Sequence, residues 1–433
     1  MERRQKEFVK RYLRRKSKVM ILNSIKSLIA KNRTLANLLL AGIRLFRTMA
    51  YEVVIARFNI KPQKVIFCSH LGRNFSCSPK AIYEEMIRDS DFDGFEIVWA
   101  FDKPNNFSIA RGEKTKYLSL KYLYHLSTSR YWIFNAKMPS NFRKKKGQTY
   151  LQTWHGTPLK RLAADIEAGE GSTFYRSKMT REKMVESYLK DSARYDYMIS
   201  ANRFSTKAFM SAFKIKKDVV IETGYPRNDV LFAATKEKID RLKEAYNVPK
   251  DKKVVLYAPT WRDNAYDEKG YVFELEVDFE MWHKALGADY VVIYKPHYLI
   301  YDTKNKNMPK DFVIDASSCQ DINDLYIISD MLVTDYSSVF FDYGVLKRPM
   351  LFYMYDLEQY RDNLRGFYLD IYKDLPGPVI EDENQLLQSI IDIDKVLAPY
   401  EKQIERFYEE YCSFDDGNAS RRVLDIVFKQ RME

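Results

Sequence analysis

The chain has 433 residues, too many for one ordinary domain and enough for two. With 46% hydrophobic residues, 32 tyrosines and 26 phenylalanines, it has ample apolar surface to offset the entropy of ordering, which excludes an intrinsically disordered protein. The formal net charge of +12 is concentrated in residues 1–60, where 15 Lys/Arg face 3 Asp/Glu; a neutral body thus carries a basic head suited to a polyanionic surface, membrane or nucleic acid.

In that head, apolar residues recur at spacings of three and four: Ile21, Leu22, Ile25, Leu28 and Ile29, then Leu35, Leu38, Leu39, Leu45, Phe46 and Met49. The pattern predicts one or two amphipathic helices flanked by Arg3, Arg4, Arg14, Arg15 and Lys16. Such a helix suits a lipid interface, held by apolar burial and headgroup charge, and the plainer reading packs it on the first domain. Lys31, Arg33, Arg44 and Arg47 interrupt every run that would approach the ~18 apolar residues of a membrane span. No cleavable signal is expected, because the first apolar run comes late. Cys68, Cys77, Cys319 and Cys412 show no metal or redox spacing, so reduced thiols and an intracellular setting are expected.

Beyond the head, short apolar, β-branched runs alternate with helical patterns, which predicts a parallel sheet with crossover helices. The first series of strands is 64–69, 96–101, 131–135, 149–153, 195–200 and 219–223. A helical stretch over 235–245 leads into a linker at Asn247-Val-Pro-Lys-Asp-Lys-Lys253, and a second series follows at 254–258, 290–294, 312–314, 331–334 and 349–353. The tail over 384–431 reads as helices able to pack back across the first unit.

Chemistry-bearing residues gather where these strands end. His155 and His297 each close an apolar run, in Leu151-Gln-Thr-Trp-His155-Gly156-Thr157-Pro158-Leu159 and Val291-Val-Ile-Tyr-Lys-Pro296-His297-Tyr298. In open α/β sheets ligands bind beyond the carboxyl ends of the strands, so two imidazoles in equivalent places suggest half-sites facing one cleft. Thr157-Pro158 predicts an N-cap and first residue of a helix, an anion-binding terminus with Lys160 and Arg161 nearby. Asp335 or Ser337 is the expected cap of a second helix in Thr334-Asp-Tyr-Ser337-Ser338-Val-Phe-Phe-Asp342. Arg227 in Gly224-Tyr-Pro-Arg-Asn-Asp229, Pro259-Thr260-Trp-Arg262 and Arg365-Gly366 add loop groups suited to phosphate. Each signal alone has an ordinary structural reading; together they favour an inter-domain phosphate site. Asp89-Ser-Asp-Phe-Asp-Gly94 imitates a calcium loop without its later glutamate and reads as a surface turn. His70, His125 and His283 read as ordinary histidines, His70 least securely because it follows a strand. No nucleotide-binding Gly-rich Lys loop, His-Glu-x-x-His or Gly-x-Ser-x-Gly is present.

Taken in order, Trp154-His-Gly-Thr-Pro-Leu159, Gly224-Tyr-Pro-Arg-Asn-Asp229, Pro259-Thr260, Lys295-Pro-His297, Thr334-Asp-Tyr-Ser-Ser338, Asp342 and Arg365-Gly-Phe-Tyr368 resemble the CDP-glycerol glycerophosphotransferases of teichoic acid synthesis, from about residue 64 to residue 380. The resemblance implies an α/β protein of GT-B type: two Rossmann-like domains facing a cleft, with the basic amphipathic helical head in front. The divisions it suggests are a membrane-associating head over 1–60, an acceptor domain over 61–246, and a CDP-alditol donor domain with C-terminal helices over 247–433. It also implies His155 and His297 as the catalytic pair, and a diphosphate site drawn from Gly156, Thr157, Pro158, Leu159, Arg227, Pro259, Thr260, Pro296, Tyr298, Ser337, Ser338 and Asp342. The implied partners are CDP-glycerol or CDP-ribitol, an undecaprenyl-diphosphate-linked acceptor and an anionic membrane surface, with no nucleic acid; the implied place is peripheral, on the cytoplasmic face of the cell membrane. No metal or cofactor is expected, so turnover is expected to persist in chelator. Ahead of the match stands only the basic head, where the long polymerases carry a large extension, which leaves priming and polymerisation both open.

On this reading an acceptor hydroxyl attacks the β-phosphorus of CDP-glycerol and CMP leaves. His155 is expected to act as general base, and His297, with Arg227, Ser337 and Ser338, to stabilise phosphoryl charge; the two histidine roles are exchangeable, because sequence gives no distances. The rivals are a CDP-ribitol transferase, a sugar-nucleotide glycosyltransferase on the same fold, and a non-catalytic module that binds membrane or nucleic acid through the head.

Overall fold

The computed structural model describes residues 33–167, 173–174, 179–260, 266–267, 270–273, 277–296, 300–303, 308–357 and 366–429. His297, Tyr298, Trp261, Arg262, Arg365 and residues 1–32 of the head lie outside the described residues.

The first parallel sheet is built from β1 (Lys61–Cys68), β2 (Glu96–Phe101), β3 (Glu113–Lys116), β4 (Ser129–Phe134), β5 (Thr149–Gln152), β6 (Tyr197–Ser200) and β7 (Val220–Glu222). The second is built from β8 (Lys253–Ala258), β9 (Tyr290–Tyr294), β10 (Val313–Asp315), β11 (Met331–Thr334), β12 (Met350–Tyr353) and β13 (Val379–Ile380). Their spatial orders are β3-β2-β1-β4-β5-β6-β7 and β10-β9-β8-β11-β12-β13. Both repeat the Rossmann pattern, in which the chain starts centrally, runs to one edge, and then resumes beside the first strand. In the first sheet, for instance, Val65 pairs with Ile97 on one side and Tyr131 on the other.

Each sheet is covered on both faces, so its central strands are buried along nearly their whole length and read as unbroken apolar runs. The first sheet lies between one cluster around Trp132, Tyr150 and Phe209 and another around Phe67, Trp99 and Val423. The second lies between clusters around Leu332, Phe340 and Phe407 and around Trp282, Val292 and Leu386. The eleven sequence-read strands are found with end shifts of up to three residues. Strand β3, Glu-Lys-Thr-Lys, escapes a reading by apolar pattern because it is a polar edge on which only Thr115 is buried.

The helices that flank these sheets include α1 (Arg33–Arg57), α2 (Cys77–Met86), α3 (Leu120–Thr128), α4 (Val339–Tyr343) and α5 (Ala419–Val427). The carboxyl half of α1 is seated on the first unit. Tyr51 and Ile55 are buried, the Tyr51 hydroxyl donates to the Arg143 carbonyl at 2.9 Å, and the Tyr51 ring meets Phe142 edge-on. As the sequence suggests, the tail returns across the first unit. Val423, Leu424, Val427 and Phe428 enter its core, and the rings of Phe428 and Tyr131 stand 4.2 Å apart. The Asp-rich stretch 89–94 is a surface turn whose Asp89 accepts from the Asp91 N–H and pairs with Arg421 and Lys429 of the tail.

Candidate active site

The carboxyl ends of β1, β4 and β5 bring together residues that are far apart in sequence. After β1 the chain turns through His70 (φ 47°), Leu71 (φ 59°) and Gly72 (φ 82°), three successive residues in the left-handed region. Only glycine fits at position 72, where a Cβ would stand 2.7 Å from the Asp102 nitrogen. β4 is followed directly by Asn135, which is fully buried. β5 leads through Thr153 to Trp154, also left-handed (φ 51°), whose indole is seated against Phe213 and stacks on the exposed His155 ring with 4.5 Å between centroids. His155 Nδ1 lies 3.0 Å from the Asn135 carbonyl oxygen. A carbonyl only accepts, so Nδ1 carries the proton and, in the neutral ring, Nε2 holds the lone pair. That is the arrangement of a general base oriented from behind.

In the second unit the corresponding strand ends are β8 and β11, the pair flanking the reversal of strand order. The Thr260 N–H donates to Asp335 Oδ1 at 2.8 Å, and the Thr334 hydroxyl donates to the Ala258 carbonyl at 2.8 Å, tying the two loops together. Pro259, Thr260 and Pro296 are buried, and Ser337 and Ser338 are half-buried at the start of α4. The expected cap from Asp335 or Ser337 is not found. Ser338 holds the N-cap position without a side-chain capping bond, because Asp335 is drawn to the neighbouring Thr260 backbone.

The helix expected from Thr157-Pro158 is also absent. Lys160 instead forms an antiparallel bridge with Phe367 of the second unit. The Arg161 N–H donates to the Gly366 carbonyl at 3.1 Å, and the Tyr368 N–H donates to the Leu159 carbonyl at 2.9 Å. Thr157 is buried, its hydroxyl 3.4 Å from both Asn202 Nδ2 and Ser205 Oγ, and Leu159 enters the apolar core of the second unit. Pairing with a distant segment satisfies the backbone that a first helical turn would have used.

Arg227 sits where the two units meet. Its Nε donates to Asp342 Oδ1 at 3.1 Å, its Nη2 pairs with Asp342 Oδ2, and its Nη1 donates to the His155 carbonyl at 2.7 Å. A Cβ placed on Gly156 would stand 3.2 Å from Arg227 Nη2 and 3.6 Å from Ser338 Oγ, so the His155 loop rests directly against the start of α4. Asn228 Nδ2 bridges Asp342 Oδ1 at 3.1 Å and Asp415 Oδ2 at 2.9 Å. Of the residues named from sequence, His155, Gly156, Arg227, Ser338 and Asp342 thus converge, with Thr260 held beside Asp335. Among the described residues, no group of three or more His, Cys, Asp or Glu side chains is placed to hold a metal ion.

Two residues not singled out from sequence as functional also stand here. Asn135 touches both His155 and His70, and the His70 and His155 ring centroids are 6.1 Å apart. The available signal was positional: both residues follow the two strands, β1 and β4, that flank the reversal of order in the first sheet.

Residues 49–429 match the family described as CDP-Glycerol:Poly(glycerophosphate) glycerophosphotransferase. The chain is 41% identical over 387 residues to the teichoic acid poly(glycerol phosphate) polymerase of Staphylococcus epidermidis, an alignment covering 88% of this chain and 53% of that one, so it spans about half the length of that relative. It is 41% identical over 371 residues to the teichoic acid glycerol-phosphate transferase of Staphylococcus aureus, covering 84% of this chain and 92% of the other. A solved variant of the wall teichoic acid polymerase TagF, soaked with CDPG, superposes with a TM-score of 0.82 at 40% identity over 89% of this chain and 94% of that one. The chain belongs to the CDP-glycerol:poly(glycerophosphate) glycerophosphotransferase family.

Proposed function

We propose that the protein transfers glycerol phosphate from CDP-glycerol to a teichoic acid acceptor, releasing CMP. The observation that supports this most directly is the convergence of the His155 loop with Ser338, Arg227 and Asp342, beyond the carboxyl ends of both sheets, in a family whose relatives are named for glycerol phosphate transfer. The acceptor hydroxyl oxygen attacks the β-phosphorus, His155 Nε2 takes the hydroxyl proton, and the bond from that phosphorus to the bridging oxygen breaks. CMP leaves with the electron pair and a phosphodiester is formed.

Asn135 fixes the His155 tautomer from behind, and Arg227 fixes the His155 backbone from the side. With its fork taken up by Asp342, Arg227 serves by holding the loop against the second unit. Ser337, Ser338 and His297, which follows buried Pro296 in sequence, supply donors for the diphosphate oxygens, where positioning and electrostatics carry most of the acceleration of phosphoryl transfer.

The acceptor is lipid-linked, on an undecaprenyl diphosphate, and the protein is peripheral on the cytoplasmic face of the membrane. Support for this comes from α1. Among the described residues no helix is long and apolar enough to cross a membrane, yet Leu38, Leu40, Leu45, Phe46, Met49 and Val53 of α1 are each about 60% exposed or more, alongside Arg44. Such a surface suits interfacial binding.

The test is CMP release by purified protein offered CDP-glycerol and CDP-ribitol separately, with a synthetic undecaprenyl-diphosphate disaccharide or its glycerol-phosphate-primed form. Release is expected with CDP-glycerol, and His155→Ala should lower turnover by ~10²-fold or more while leaving the fold intact. Release with CDP-ribitol alone would transfer the assignment to the longer alditol, and no release with either would remove it.

A further inference from the structure

The turn after β1 holds a second imidazole whose protonation state the geometry assigns. The His70 backbone N–H donates to Asn135 Oδ1 at 2.7 Å, which fixes the orientation of the Asn135 amide. Its Nδ2 therefore faces the His70 ring and lies 3.2 Å from Nε2. An amide nitrogen only donates, so His70 Nε2 accepts and the single proton of the neutral ring is on Nδ1. Among the described residues, no protein group is paired with that Nδ1–H.

His155 is held the same way from the opposite side, with Nδ1–H spent on the Asn135 carbonyl and the lone pair left on Nε2. One buried asparagine thus sets two imidazoles, 6.1 Å apart, in complementary roles: one offers a lone pair and the other a proton.

Two further observations agree. His70 and Leu71 are consecutive non-glycine residues in the left-handed region, a strained pairing of the kind that gathers at functional sites. Burial pushes the His70 imidazole down to about 4, and the positive fields of Arg227 and Arg73 add to this against a weaker opposing pull from Asp321. The ring is therefore neutral throughout the physiological range, and it remains a donor without contributing a charge.

We propose that His70 is a substrate-contacting residue whose Nδ1–H donates to a non-bridging oxygen of the phosphoryl group that the His155-activated hydroxyl attacks. The inference rests on the transferase reading above and adds a donor from the first unit to those of the second.

The test compares His70→Phe, which keeps a ring and removes the donor, with His70→Asn, whose amide replaces Nδ1–H and whose backbone tolerates positive φ. Removing a preorganised donor to phosphoryl oxygen should lower kcat by roughly 10²-fold with little change in KM, so His70→Phe should fall by about that much and His70→Asn should recover most of the loss. Wild-type kcat in a folded His70→Phe variant, or equal loss in both variants at wild-type melting temperature, would overturn the proposal. Nitrogen-15 NMR of the wild-type imidazoles gives an independent readout should His70→Phe not fold. An Nδ1–H tautomer of His70 that persists from pH 8 to pH 5 and shifts on adding CDP-glycerol supports the inference, and an Nε2–H tautomer or an unmoved resonance refutes it. Wild type and His155→Ala run in the same assay report on the parent reading. An inactive wild type overturns both, whereas an active wild type with inactive His155→Ala leaves the His70 variants to decide this one alone.

Discussion

Arg227 is the residue on which both units converge. It and Asp342 are 13% and 5% exposed at their side chains, and neither is a surface pair that water would screen. Arg227→Met leaves Asp342 buried with, among the described residues, only the Asn228 amide, and is expected to cost about 3–5 kcal/mol in chemical denaturation. The double variant Arg227→Met/Asp342→Leu should recover part of that loss, because no lone charge is left inside. A single variant as stable as wild type would mean that the pair does not hold the junction. His155 was legible in the sequence because it closes an apolar run beside Gly156 and Pro158. Asn135 was not, since a buried asparagine after a strand has no distinctive neighbours and acquires meaning only from the two imidazoles it touches.

The elements show where local rules hold and where they yield. Central strands bury both faces, so their apolar runs announced them, while polar edge strand β3 went unread. Thr157-Pro158 carries a sound helix-start signal, but the segment pairs across the junction at Lys160–Phe367, and a tertiary partner outweighs a capping preference worth about 1 kcal/mol. Helix α1 shows the reverse case, since a helix is present over the 35–49 spacings and most of its large apolar residues, from Leu38 to Val53, are left uncovered. If that face meets lipid, replacing Leu45, Phe46 and Met49, each 60–62% exposed, by Ser should weaken binding to anionic phospholipid vesicles by at least ~10-fold. Unchanged vesicle partitioning in the triple variant would exclude this helix as the docking surface.

Across the whole molecule, the tail threads back to close the structure, and Asp415 lies at the closure. Its carboxylate accepts from the Tyr225 N–H and from Asn228 Nδ2, and Asn228 in turn reaches Asp342. Burial pushes the Asp415 carboxyl up to about 7, and the charges of Asp342 and Asp229 add to the shift against those two hydrogen bonds. A carboxyl raised in the fold binds a proton more tightly there than in the unfolded chain, whose value is near 4. Its contribution to stability is therefore fully present below pH 4 and is lost as pH rises through about 7. Moving wild type from pH 5 to pH 7.5 should cost on the order of 2 kcal/mol relative to Asp415→Asn, which cannot titrate. A stability gap between the two proteins that stays constant over that range would show that Asp415 does not titrate there.

The sequence by itself determined the two parallel α/β units, the strand ends at which the candidate site gathers, and the family. These follow from short-range signals: apolar runs sized to buried strands, and motifs whose residues sit side by side. Only the tertiary structure decided which loops meet. It placed Ser338 and Arg227 against Gly156, turned a predicted helix start into an inter-unit bridge, and brought His70 and Asn135 to His155. Those contacts join residues from 20 to more than 200 positions apart, where hydrogen-bond satisfaction and packing across the junction act. No local pattern records a partner that distant.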